Sequence, residues 1–183
     1  MQMSKRIKGL YISLIGVFIL SPDSLLIRLL NLNDLSLIFY RGILPAIATS
    51  LLLLIYYKKN IIKAFILIGF AGILYALLYS IMHITFAYSI QHTAVANTLV
   101  LIASAPIFTA ILSLILLKEN PTPITWLTIF FALISIIIIG WGSYTTDGFI
   151  GDIFALITGL CMAVSAILVR YCKDKDLVPS VVI

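Results

Sequence analysis

The chain has 183 residues, 62% of them hydrophobic and only 10% charged, with twelve Lys and Arg against seven Asp and Glu for a net charge of +5. Soluble domains carry about 25% charged residues, so a mean hydropathy of +1.19 excludes an ordinary water-soluble fold. The apolar runs approach the ~20 residues that ~30 Å of hydrocarbon requires and lack the roughly 10-residue alternation of a membrane β-barrel. The fold class is therefore an all-α, polytopic membrane helical bundle.

Six spans are predicted, at about 9–30, 35–57, 64–90, 94–117, 124–142 and 150–171. Each must be helical, because lipid offers nothing to satisfy a free backbone group. Span one contains Ser21-Pro22-Asp23-Ser24. Residues 10–20 alone would rise only about 16 Å, so the helix has to continue through this break, kinked by Pro22. An Asp at membrane depth is costly enough to point to function or pairing. Asp23 then either lines a substrate cavity, binding a cationic group or a proton, or lies close to the outer surface. No small-residue cleavage site follows, so an uncleaved first helix is expected rather than a signal peptide. Arg28 is close enough to the outer end to snorkel there.

Span two carries Arg41 early, seven residues after Asp34 and on the same helical face. Two roles fit it: pairing with Asp34 or another carboxylate near the outer surface, or lining a cavity that meets an anionic group. Span three carries Tyr75, Tyr79, His83 and Phe86 in one stripe, together with small residues Gly69, Ala71, Gly72 and Ala76 that would permit a close helix crossing. The stripe suits either a pocket for an amphipathic solute or plain aromatic packing. His83 is deep enough for its titration to matter; His92, in a short outer turn, is expected only to be solvated.

Span four places Asn97, Ser104 and Phe108 on one face, for interhelical hydrogen bonding or cavity lining. Pro106 is expected to bend this helix, and Glu119 to make a structural or gating contact at the inner end. Span five has Ser135 as its one polar side chain between Ile129 and Gly140; it is expected to be peripheral, facing lipid or a second copy. Trp126 and Trp141 lie near its two ends, about 22 Å apart along the axis. Cys161 and Cys172 in span six face roughly opposite sides and suggest neither a disulfide nor a metal site.

With the N-terminus inside, inner segments hold Lys5, Arg6, Lys8, Lys58, Lys59, Lys63, Lys118, Arg170, Lys173 and Lys175, ten of the twelve basic residues. The other two, Arg28 and Arg41, lie within spans. Lys and Arg favour the cytoplasmic side, so the net charge is an orientation signal and implies no nucleic-acid partner. The chain also restarts. Residues 9–35 laid over 151–177, an offset of 142, match at Gly9/Gly151, Leu14/Leu156, Ile15/Ile157, Leu26/Leu168, Arg28/Arg170, Asp34/Asp176 and Leu35/Leu177. Five spans per repeat is an odd number, so the second copy must be inverted, as in secondary transporters. The expected division is 1–146 as the first repeat and 147–183 as an incomplete second one, against about 285 residues for two full copies.

Ala94-Val95-Ala96-Asn97-Thr98-Leu99, then Ala105-Pro106-Ile107-Phe108-Thr109-Ala110, then Leu116-Leu117-Lys118-Glu119 resembles the signature of the EamA family of the drug/metabolite transporter superfamily. Arg41 after Phe39-Tyr40, and the restart at Gly151-Asp152, fit the same pattern. The resemblance implies a ten-helix protein of two five-helix repeats that moves small metabolites across the cytoplasmic inner membrane. The chain departs from that by lacking spans seven to ten.

No HExxH, G-x-S-x-G, phosphate-cradling Gly-rich loop or metal-binding carboxylate cluster is present. Neither enzymatic activity nor a cofactor is expected. The leading expectation is a secondary transporter working by alternating access, with Asp23, Arg41, Tyr75, Tyr79, His83 and Asn97 lining the site and a small-molecule solute and the bilayer as partners. The rival is a truncated, non-transporting membrane protein, or a half-transporter that needs a homodimer partner or a separately encoded second half. A small multidrug exporter acting as a dimer fits less well, since such chains carry a membrane Glu and the only Glu here ends a helix.

Overall fold

The computed structural model describes residues 5–20, 22–30, 32–58, 61–143, 148–172 and 177–182. Ser21, Lys59, Asn60, Lys173, Lys175 and Asp176, and the side chains of Lys5, Arg6, Lys8, Arg28, Lys63 and Trp141, lie outside the described residues. The chain divides into two compact units, Met1–Leu32 and Asn33–Ile183.

The first unit holds α1 (Lys5–Leu20) and α2 (Asp23–Leu30). Where one helix kinked by Pro22 was expected, two helices are found, with Pro22 between them. Pro22 cannot donate into a preceding turn, and its carbonyl instead accepts from Leu26 N at 2.9 Å, starting α2. Asp23 stands in the first turn of α2, where a carboxylate complements the positive end of the helix dipole.

The second unit begins with α3 (Asp34–Tyr57), capped by Asn33, whose side-chain oxygen accepts from Ser36 N at 2.9 Å. Next come α4 (Ile61–His92), α5 (Val95–Ile102) and α6 (Ala105–Leu112), the last continuing into a π-turn, Ser113–Leu117. Then follow α7 (Pro123–Ser143), α8 (Phe149–Tyr171) and a C-terminal 3-10 turn, Val178–Val182. No strand occurs among the described residues.

Among the described residues, five stretches are long and apolar enough to cross a membrane: 9–27, 34–57, 67–92, 95–117 and 149–171; a shorter apolar one is Pro123–Ile138. The five fall at predicted spans one to four and six, and the shorter one at span five. Two interruptions depart from uniform helix. Gly69, in α4, takes φ 57 and ψ −156, a backbone state that L side chains avoid. It breaks the helix rather than smoothing a crossing. In span four the bend expected from Pro106 is a full break at Ala103–Ser104, where Ser104 N donates to Leu101 O at 3.1 Å and Pro106 sits in the first turn of α6.

Helix α8 packs most extensively on α4 and then on α6 and α5. Its buried face includes Gly151, Ala155, Gly159 and Ala163, spaced by four. Lipid gives no hydrophobic drive for helices to meet, so association relies on close packing at small residues and on polar pairs. Both occur here. Thr85 and Thr158 share a hydrogen bond of 2.7 Å, Ser89 and Thr98 one of 2.8 Å, and Thr93 donates to Asp152 at 2.8 Å. Thr85 and Ser89 on α4 and Thr93 just past its end are spaced by four and form one buried hydroxyl face. Helix α7 packs on α5 and, less, on α6, and leaves most of its apolar side chains exposed. That matches the peripheral place expected for span five.

Candidate functional site

Helices α3 and α4 enclose a cavity of about 300 Å³, closed on one side by the C-terminal turn. From α3, Ile38, Arg41, Gly42 and Pro45 face it, three or four residues apart and so on one helical side. Pro45 has no N–H to give to the carbonyl of Arg41, four residues earlier. From α4 come Tyr79, Ser80, His83 and Ile84; Val181 and Val182 complete the wall. Tyr79 lies thirteen residues before the end of α4, about 20 Å along the axis, which places the cavity near mid-span.

Tyr75, Tyr79 and His83 of the aromatic stripe touch in sequence, the first pair stacked and the second tilted. The Tyr75 and Tyr79 rings are 6.2 Å apart at 18°, and Tyr79 and His83 are 4.3 Å apart at 53°. Arg41 sits with its guanidinium carbon 4.8 Å from the centre of the Phe86 ring, within the range at which a ring face attracts a cation. Residues about forty positions apart in sequence thus meet: a fixed positive charge, a phenol, an imidazole and flat apolar rings. The arrangement can hold an anionic group at Arg41 and a planar or apolar body against the rings.

Of the residues expected to line a site, Arg41, Tyr79 and His83 share this cavity, and Tyr75 adjoins it by stacking on Tyr79. Asn97 is 5% exposed on α5, next to the Thr98 that bonds Ser89, and is not among the described lining residues of this cavity. Asp23 belongs to the N-terminal unit. Ser104 donates to Leu101 O at 2.5 Å, within its own chain segment rather than between helices. The sequence reading missed Ser80, Pro45 and the two valines. Ser80 and Pro45 carry the face periodicity of their neighbours, whereas nothing local to 181–182 signals a place between α3 and α4.

His92 is corrected. Expected only to be solvated, it places Nε2 2.9 Å from Asp34 Oδ2, where the ring N–H donates to the carboxylate, and it stacks on Tyr88 at 4.0 Å. Tyr88 also meets Phe154 at 4.6 Å. The contact ties the start of α3 to the end of α4, which a short turn between distant helices cannot reveal locally.

A second cavity, about 480 Å³, lies between α6, the 118–122 turn, α7 and α8. At its edge Arg170 Nη2 donates to Glu119 Oε2 at 2.5 Å, and Ser113 donates to the same oxygen at 3.5 Å. Glu119 therefore makes the structural contact expected at this end. Its charge and that of Arg170 answer each other, so this larger space offers less to a solute than the Arg41 cavity does.

The sequence model of the EamA-like transporter family matches residues 7–141. No curated protein and no solved structure matches the chain.

Proposed function

The chain belongs to the EamA-like transporter family, and from that premise we propose that it carries small solutes across the cytoplasmic membrane as a secondary transporter. It is a multi-pass membrane protein of helices, and alternating access would proceed by rocking one repeat against its inverted counterpart. Residues 1–146 form the first repeat in this reading and 147–183 the start of the second; the family match ending at residue 141 supports the division. Two such repeats together enclose the path, whether on one chain or on two. The N-terminus is inside, on the strength of the Lys and Arg distribution.

The observation that carries the proposal is the cavity at mid-span into which α3 and α4 bring Arg41, Tyr79 and His83. A charged side chain at that depth is costly unless it serves a site or is held by partners. Tyr75 supports the stack by its contact with Tyr79; Asn97 lies outside this cavity, and Asp23, in the N-terminal unit, is proposed on its own as a group that takes a proton or a cationic moiety.

Counterflow in liposomes tests this, using a panel of amino acids, nucleosides, cationic drugs and aromatic acids. Wild type is expected to exchange at least one class, and Arg41→Gln to lower that flux by about tenfold or more, as expected when a charged hydrogen bond is lost. Full flux in Arg41→Gln would remove this cavity from the path. No exchange of any panel member would remove the transport reading.

A further inference from the structure

Resting on the transport reading above, the same cavity restricts what is carried: we infer that the solute is a small carboxylate bearing a planar aromatic ring. Three observations converge. Arg41 is among the residues that line the cavity, its guanidinium carbon 4.8 Å from the centre of the Phe86 ring. The guanidinium is a planar fork of donors that matches a carboxylate in two parallel hydrogen bonds, and its positive charge disfavours a cation in the same space. Tyr79 and His83 bring their rings to the wall at 4.3 Å and 53° to each other, with Tyr75 stacked behind Tyr79 at 6.2 Å, and one more ring can pack on them face-on or edge-on at the spacing aromatic pairs prefer. The rest of the described lining is largely aliphatic, from Ile38, Ile43, Ile84, Val181 and Val182, and suits an apolar body rather than a polyol or sugar, which would leave hydroxyls unpaired.

Size narrows the class further. At about 300 Å³ the cavity stands at the lower limit of ligand pockets, which run to about 1,000 Å³. A solute of one or two rings and one carboxylate fits that volume. Carboxylate recognition comes from α3 and ring recognition from α4, so the two halves of the specificity are separable by mutation.

The test is calorimetric titration of the purified full chain in detergent micelles with three probes: phenylacetate, cyclohexylacetate and 2-phenylethanol. Phenylacetate is expected to bind about tenfold or more tightly than either of the others. Arg41→Gln should erase its advantage over 2-phenylethanol, with Arg41→Lys intermediate, and Tyr79→Leu should erase its advantage over cyclohexylacetate. Equal binding of cyclohexylacetate overturns the aromatic half of the inference, equal binding of 2-phenylethanol overturns the carboxylate half, and no binding of any probe overturns both. The wild-type comparison decides these even where a variant fails to elute as a monodisperse peak. Counterflow on the same preparation separates the two readings. Exchange of other panel solutes without phenylacetate overturns the class and keeps transport. Phenylacetate binding with no exchange of any solute overturns transport and keeps the cavity's ligand specificity.

Discussion

Gly151 and Gly159 occupy the same buried face of α8, yet their surroundings make opposite demands. A Cβ on Gly151 would lie 2.8 Å from the carbonyl carbon of His92 and from Thr93 Cβ, a contact mostly with backbone that cannot step aside. On Gly159 the nearest atom would be Leu101 O at 3.6 Å, ordinary contact. Gly151→Ala is therefore expected to destabilise by about 1–3 kcal/mol. Gly159→Ala should be neutral or stabilising, since Ala is favoured over Gly in a helix by about 1 kcal/mol. Thermal unfolding of the two variants in micelles checks this; equal midpoints would show that the close approach at Gly151 does not exist in solution. The aromatic stripe was legible in the sequence because its spacing of four, four and three is a property of one helix. The meeting of Arg41 with Phe86, and of His92 with Asp34, was not, because each depends on where a second helix lies.

Among elements, the hydroxyl face of α4 shows how these helices recognise each other. A hydroxyl has one hydrogen, so in the Thr85–Thr158 pair one donates across while the other donates back into its own helix, Thr85 to Ile81 O or Thr158 to Phe154 O, each at 2.8 Å. Interhelical bonds of this kind contribute about 0.6 kcal/mol on average. Thr85→Val and Thr158→Val are each expected to cost about that much, and the double variant less than the sum, because both single variants remove the same bond. A double-mutant cycle on unfolding free energy measures the coupling; strict additivity would mean that the bond is not formed. Proline marked where helices are interrupted, at Pro22 and Pro106, but these positions read as kinks rather than as the ends the structure shows. Gly69 was not read as a break, since glycine at a helix contact serves close packing as readily as it serves a positive φ.

For the whole molecule, the charge map makes an orientation testable. In a Cys161→Ser, Cys172→Ser background, a cysteine at Lys118 should react with an impermeant maleimide only from the cytoplasmic side. One at Ala94, in the turn between α4 and α5, should react only from outside. The reverse pattern would overturn the assigned topology and, with it, the inside placement of the Arg170–Glu119 pair. The six spans could be read from sequence alone because a span is a local quantity, about 20 consecutive apolar residues whose backbone has no alternative to helix. Family membership was likewise legible in the motifs of span four and in Arg41. What only the tertiary structure decided is adjacency: that α8 lies against α4, α5 and α6, that 178–182 forms a 3-10 turn beside α3 and α4, and that Arg41 faces the same space as Tyr79 and His83. In lipid, apolar side chains favour neither a neighbouring helix nor an acyl chain. Pairing is then decided by small-residue fit and a few hydrogen bonds between distant positions, and no single stretch of sequence holds both partners.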